Sequence, residues 1–173
     1  MISAEDHKVV YWDACIFIAW LAGELRPETE GIRESARRIK KKYALMLTST
    51  VTEMEVLDGN MSNEAQSEYR RLMRLSNVNA IDLEVPIRRL AKEIREFFQR
   101  EKQAGRQRGV VTTADAIHLA TAINRNVDAL YTLDKGGKDK VSLLSLTGNV
   151  AGYPLLICAP PAQQLGLSLG LLR

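Results

Sequence analysis

Short apolar runs alternate with longer amphipathic segments, and this alternation constrains the fold more than any other feature of the chain. Five runs have the length of buried strands, at residues 9–13, 44–48, 78–83, 129–132 and 155–158. Six segments have apolar residues at helical spacing, at residues 14–21, 28–42, 51–57, 62–75, 87–103 and 114–124. Strands separated by helices pair in parallel, which predicts an α/β fold with helices on both faces of a short central sheet.

The length and composition predict one domain. A chain of 173 residues with 46% hydrophobic and 26% charged residues has the balance of a globular domain that buries its own core. We therefore expect a single domain over residues 1–173, with its core at about residues 9–158. Beyond Gly148 the chain shows little pattern apart from the last strand, and Gly59 with Asn60 is expected to end the third helix.

Cys15 and Cys158 are the only cysteines, and both lie in apolar runs. Two distant cysteines lack the short ligand spacing of a zinc site, so we expect two buried, reduced thiols. The first residues contain no apolar leader after a basic start, and no run reaches the roughly 20 apolar residues of a membrane span. These features predict a cytoplasmic protein with no membrane partner.

Four carboxylates border or interrupt apolar runs: Asp13, Glu55, Asp115 and Asp134. A carboxylate is costly to bury unless it is paired, hydrogen-bonded or bound to a cation. Asp13 and Asp134 lie at the ends of predicted strands, and ligands of parallel sheets bind beyond the carboxyl ends of the strands. One shared divalent cation would satisfy all four groups, and Mg²⁺ prefers such oxygen ligands.

Each carboxylate also has a structural interpretation. Asp115 occupies the first turn of a helix, where an acid is stabilised by the helix dipole. Asp134 precedes Lys135 and two glycines, as in a turn. Asp13 has the weakest structural interpretation, because we expect a strand-end acid in this position to gain little from capping a helix. Residue chemistry alone leaves a shared metal site and separate structural roles both open.

Four patches give the chain a resemblance to a known family. They are VVYWDACIFI with Asp13, EVLDG with Glu55, TTADAIHLATAI with Asp115, and ALYTLDK with Asp134. In order and spacing they resemble the motifs of PIN-domain nucleases, and specifically of the VapC-type toxins of prokaryotic toxin–antitoxin systems. The patches span residues 9 to 135, and the resemblance implies a PIN-like three-layer α/β/α fold.

The resemblance also implies an activity, the cleavage of RNA phosphodiesters with Mg²⁺ or Mn²⁺. Asp13, Asp115 and Asp134 would bind the metal directly or through water, and Glu55 would be a further ligand or would orient the attacking water. Thr132 would support a carboxylate or a phosphate. The family further implies an antitoxin protein as partner and a homodimer.

The basic residues suit such a substrate. The net charge is +3 and the pI about 8.9, which is compatible with a polyanionic partner. Arg106 and Arg108 lie in a loop that leads directly into the Asp115 helix. Both RNA contact and a solvated loop fit these two arginines.

The sequence departs from the family pattern at two places. Cys15 stands where the family often has asparagine, and Gly136 with Gly137 replaces the apolar residue that commonly follows the last aspartate. The second departure makes Asp139 a possible substitute for Asp134 as the fourth carboxylate. His118 lies three residues after Asp115, and we interpret it as a packing histidine in preference to a general base.

Three other functions compete with a toxin. The first is a PIN-fold RNA-processing nuclease outside toxin–antitoxin systems. The second is a non-catalytic PIN-like module that binds RNA or protein, which the two departures keep open. The third, a phosphotransferase, ranks low because the sequence has no glycine-rich phosphate-binding loop.

Overall fold

A five-stranded sheet forms the centre of the computed structural model, which describes residues 7–24, 27–57 and 61–162. The strands are β1 (Val9–Trp12), β2 (Leu45–Ser49), β3 (Val78–Ile81), β4 (Ala129–Tyr131) and β5 (Ile157–Cys158). They lie in the order β3-β2-β1-β4-β5, and every neighbouring pair is parallel. The α/β fold predicted from the alternation of strands and helices is confirmed.

Helices cover both faces of the sheet. They are α1 (Ala14–Leu21), α2 (Pro27–Lys40), α3 (Thr50–Leu57), α4 (Asn63–Met73), α5 (Val85–Gln103) and α6 (Thr113–Asn124). One hydrophobic cluster joins the sheet to α5 and α6, and a second joins its other face to α1, α2 and α4. This is the three-layer α/β/α arrangement expected from the family resemblance.

The central strand β1 is buried on both faces. Tyr11 belongs to the cluster under α5 and α6, whereas Val10 and Trp12 belong to the opposite cluster. Successive side chains of a strand point to opposite faces, so a strand buried on both sides needs a continuous apolar run. This explains why the first strand reads as four apolar residues without polar alternation.

The predicted element ends differ from the observed ones by one to two residues in most cases. The second helix ends at Lys40 because Lys42 adopts a left-handed conformation with φ of 62°. Helix α6 begins at Thr113, one residue before its predicted start, with Thr112 as its N-cap. The expected end of the third helix at Gly59 and Asn60 lies outside the described residues, as does most of the C-terminal tail.

Within the ranges that the structure covers, no helix is long and apolar enough to cross a membrane. Cys15 and Cys158 are free thiols, and both are half-buried where we expected full burial.

Because all strands are parallel, their carboxyl ends meet at one edge of the sheet, and this edge holds the candidate site.

Candidate active site

The four candidate carboxylates come from four different elements near the carboxyl edge of the sheet. Asp13 directly follows β1, and Asp134 lies three residues beyond the end of β4. Glu55 lies in α3, the helix that follows β2, and Asp115 lies in the first turn of α6. Hydrogen bonds and ion pairs connect the four groups into one network.

Asp13 is buried and accepts three hydrogen bonds. Its Oδ1 accepts the backbone N–H of Ala14 at 2.7 Å. Its Oδ2 accepts the hydroxyl of Thr132 at 2.8 Å and the thiol of Cys15 at 3.2 Å. Asp13 is therefore the N-cap of α1, and our expectation that it gains little from capping was wrong. The cap uses Oδ1, so Oδ2 is available for the hydrogen bonds from Thr132 and Cys15.

Cys15 supplies a hydrogen bond to Asp13 at the position where the family often has asparagine. Its sulfur also accepts the backbone N–H of Leu133 at 3.2 Å. Burial, together with the negative charge of Asp13, raises the pKa of the thiol far above its ordinary value. The sulfur therefore stays protonated and remains a donor to the Asp13 carboxylate.

Thr132 connects Asp13 with Asp134. Its hydroxyl donates to Asp13 Oδ2 and accepts the backbone N–H of Asp134 at 3.0 Å. The side chain is fully buried, so these contacts are shielded from water. The structure thus places Thr132 against a carboxylate, one of the two roles expected for it.

Asp115 and Asp134 meet at the ammonium group of Lys140. The Nζ atom of Lys140 lies 3.3 Å from Oδ2 of Asp115 and 3.3 Å from Oδ2 of Asp134. Partial burial alone would lower the pKa of Lys140, but the charges of the two carboxylates raise it. The lysine is therefore charged at neutral pH and neutralises part of the acidic site.

The structural interpretations of these two aspartates also hold. The Thr112 hydroxyl donates to Oδ2 of Asp115 at 2.6 Å. The backbone N–H of Asp115 donates to the hydroxyl oxygen of Thr112 at 3.1 Å, which completes a reciprocal helix cap. Asp134 Oδ1 accepts the backbone N–H of Gly136 at 2.9 Å, as in a turn. In both residues the capping or turn role coexists with the contact to Lys140.

Glu55 is held by His118. The Nε2 atom of His118 lies 2.7 Å from Oε2 of Glu55 and 3.5 Å from Oδ1 of Asp13, while Nδ1 lies 2.8 Å from the hydroxyl of Tyr11. Burial alone would lower the pKa of this fully buried histidine, but the hydrogen bond to Glu55 and the charge of Asp13 raise it. His118 is thus packed in the core, and it also links two site carboxylates.

The donor chemistry of this edge fits a hard divalent cation. Among the described residues, no group of three or more histidine, cysteine, aspartate or glutamate side chains surrounds a single position. Two carboxylate oxygens nevertheless converge on one positive charge, the Lys140 ammonium. Mg²⁺ is commonly held by one or two carboxylates together with water and substrate phosphates, so Asp115 and Asp134 suit it.

The remaining candidates lie outside this network. Asp139 has a side chain that is 76% exposed and lies 3.8 Å from Lys102, so the structure gives it no contact with the other carboxylates. Arg106 is held by two hydrogen bonds to Glu101, at 2.8 and 2.7 Å. Arg108 is exposed in the same loop.

Lys140 was missed by sequence reasoning, and the contacts of His118 were underestimated. The only signal for Lys140 was its place in the glycine-containing loop after Asp134, which predicts no particular contact. The signal for His118 was its spacing of three residues from Asp115 on α6, which brings the two to neighbouring helix faces.

Comparison with family models gives a match to the PIN domain over residues 10–141. This match covers most of the chain and contains all four carboxylates. The chain belongs to the PIN domain family. A search of curated protein sequences found no match.

Two solved structures have a similar fold. VapBC2 from Rickettsia felis, solved bound to a DNA fragment from its promoter, matches with a TM-score of 0.59 and 14% identity, covering 86% of this chain and 98% of that one. A toxin–antitoxin complex from Klebsiella pneumoniae matches with a TM-score of 0.53 and 23% identity, covering 84% of this chain and 99% of that one. At these identities the likeness establishes the fold.

Proposed function

We propose that this protein is a divalent-metal-dependent endoribonuclease that acts in the cytoplasm as the toxin of a toxin–antitoxin pair. The observation that carries the proposal is the network at the carboxyl edge of the sheet. It joins Asp13, Glu55, Asp115 and Asp134 through Thr132, His118 and Lys140. Several coupled ionisable groups gathered at one edge of the sheet are typical of functional sites.

Different residues of the site would bind the metal and orient the attacking water. Asp115 and Asp134 would hold Mg²⁺ or Mn²⁺, and Asp13, fixed by Thr132 and Cys15, would bind it directly or through water. When bound, the cation supplies positive charge that stabilises the phosphate under attack and acidifies a nearby water. The side chain of Glu55 is 35% exposed, and one of its oxygens is held by His118. Glu55 would therefore orient that water from the solvent-exposed part of the site.

Four finer parts of the proposal have separate support. An antitoxin partner is supported by the two similar folds, which come from a VapBC pair and a toxin–antitoxin complex. A homodimer is supported by the resemblance of the four motifs to VapC-type toxins. RNA as the substrate is supported by the resemblance of the four motifs to VapC-type nucleases. Arg108, exposed beside the start of α6, is the better of the two loop arginines for a phosphate contact, because Arg106 is already paired with Glu101.

The test is cleavage of RNA by the purified protein with Mg²⁺, with Mn²⁺ and with EDTA. We expect cleavage with either metal and none with EDTA. Asp13→Asn and Asp134→Asn should each lower the rate at least about 100-fold, because each removes a carboxylate charge from the proposed metal site.

Asp139→Asn is the matched control, since it removes the same charge from an exposed carboxylate five residues after Asp134. It should retain wild-type cleavage. Equal losses in Asp134→Asn and Asp139→Asn would contradict the assignment of the fourth carboxylate. Cleavage that continues in EDTA would contradict the metal-dependent mechanism.

A further inference from the structure

Lys140 places its ammonium group between the carboxylates of Asp115 and Asp134. Its Nζ is 3.3 Å from an oxygen of each carboxylate. The side chain of Asp115 is 9% exposed and that of Asp134 is 16% exposed. Water therefore screens the negative charges of these two carboxylates poorly. The lysine side chain itself is 38% exposed, which gives its ammonium a route to solvent.

The backbone of Lys140 is fixed independently of this ion pair. Residues 110 and 140 form a parallel bridge, in which Val110 donates to the carbonyl of Asp139 at 3.0 Å and Val141 donates to the carbonyl of Val110 at 3.1 Å. The carbonyl of Lys140 also accepts the N–H of Gly137 at 3.0 Å. These hydrogen bonds hold the backbone of Lys140 in place, while its side chain can rotate.

Two glycines make this path of the chain possible. A Cβ on Gly109 would lie 2.7 Å from the carbonyl carbon of Lys140, and a Cβ on Gly136 would lie 2.6 Å from the backbone nitrogen of Ser142. Gly136 also has a φ of +76°, a conformation that other residues rarely adopt. The glycine that departs from the family pattern after the last aspartate thus belongs to the loop that returns Lys140 to the site.

We propose that Lys140 is a built-in counter-ion, which holds Asp115 and Asp134 together in the metal-free protein and leaves when a divalent cation binds. The ammonium and a cation held by these two residues would both pair with the same two carboxylates, so they would compete. Lys140 therefore weakens metal binding and prevents the two acids from repelling each other when the metal is absent. The inference rests on the proposed function only in taking Asp115 and Asp134 as metal ligands.

The first test is labelling of lysine amines with an acetylating reagent, followed by mass spectrometry of the wild-type protein with and without saturating Mg²⁺. We expect Lys140 to be protected without Mg²⁺ and labelled several-fold faster with it. Lys138 is the internal control, because it is exposed in the same loop and should be labelled equally in both conditions.

The second test is the affinity for Mn²⁺, measured by calorimetry. Lys140→Met should bind Mn²⁺ about tenfold more tightly than the wild type, as expected for removing a competing ion pair. Its metal-free form should melt at a lower temperature than the wild type. Lys138→Met, with the same change of charge in the same loop, should change neither property. If Lys140→Met does not fold, Lys140→Gln keeps a hydrogen-bond donor without the charge.

The outcomes separate this inference from the proposed activity. Metal-dependent labelling of Lys140 with tighter Mn²⁺ binding in the variant, but without RNA cleavage, would support the counter-ion and refute the ribonuclease. Equal labelling of Lys140 with and without Mg²⁺ would overturn the counter-ion. Unchanged or weaker Mn²⁺ affinity in both Lys140 variants would overturn it as well, as would a complete failure of the wild type to bind metal.

Discussion

The carboxylates of this site are balanced by two cationic or proton-donating side chains of different kinds. His118, fully buried, contacts Glu55 at 2.7 Å and Asp13 at 3.5 Å, whereas Lys140, partly exposed, contacts Asp115 and Asp134. A buried group cannot leave without opening the core, but a partly exposed one can. The difference in burial therefore suits His118 to a permanent role in positioning Glu55 and Lys140 to an exchangeable one.

Cysteine reactivity offers a prediction at the scale of single residues. Burial raises the pKa of Cys158 to about 11, and burial with the charge of Asp13 raises that of Cys15 further. Because the thiolate is the reactive form, both thiols should react very slowly with iodoacetamide at pH 7 in the folded protein. Mass spectrometry of the alkylated protein measures this directly.

The same protein unfolded in urea is the control, and both cysteines should then be alkylated at the ordinary rate of free thiols. Rapid alkylation of Cys15 in the folded state would show that its sulfur is not held as a protonated donor to Asp13.

At the scale of elements, the site depends on how the strands and loops end. The parallel strands β1 and β4 place Asp13 and Thr132 side by side, and helix α6 contributes both Asp115 and His118 from adjacent turns. The loop at residues 135–140 then returns over the carboxyl edge, where Gly136 donates to Asp134 and Lys140 completes the ion pair. The conformation of this loop controls one half of the network.

Gly136→Ala tests that control. The added Cβ would lie 2.6 Å from the backbone of Ser142, at a positive φ, so the loop must shift or remain strained. We expect the free energy of unfolding of the metal-free protein to fall by about 1–3 kcal/mol, measured by urea denaturation.

Gly137→Ala is the matched control on the next residue. A Cβ there would meet no atom within 4 Å, so this variant should unfold within about 0.5 kcal/mol of the wild type. Equal destabilisation of the two variants would contradict a specific role for Gly136.

At the scale of the whole molecule, the sequence predicted the architecture and the edge on which the carboxylates lie. Both follow from local patterns, because apolar runs and helical spacing are read within one element and parallel sheets place functional groups at one edge. The contacts between cations and carboxylates could not be predicted in this way. Tyr11 and His118 are separated by 107 positions. Lys140 contacts Asp115 in a region where Gly109 and Gly136 allow backbone segments to approach closely.

The expectation that Asp13 gains little from capping a helix was wrong for a local reason. The sequence predicted a strand over residues 9–13 and a helix over residues 14–21, but Asp13 was interpreted as the end of the strand and not as the cap of the helix. Oδ1 of Asp13 caps the helix at Ala14, while Oδ2 accepts hydrogen bonds from Thr132 and Cys15. An acid at the junction of a strand and a helix can therefore have a structural role without losing a functional one.

The central claim, that the carboxylate network is the metal site of a ribonuclease, is tested most directly by measuring bound Mn²⁺ and RNA cleavage in the same samples. The loss of the free Mn²⁺ resonance signal gives the bound metal. In the wild type and in Glu53→Gln, an exposed acid on α3, cleavage should rise in proportion to bound Mn²⁺. In Asp115→Asn, Mn²⁺ binding and RNA cleavage should be lost together. Cleavage by Asp115→Asn at the wild-type rate would contradict the account. Tight Mn²⁺ binding by a wild type that cleaves no RNA would contradict it as well.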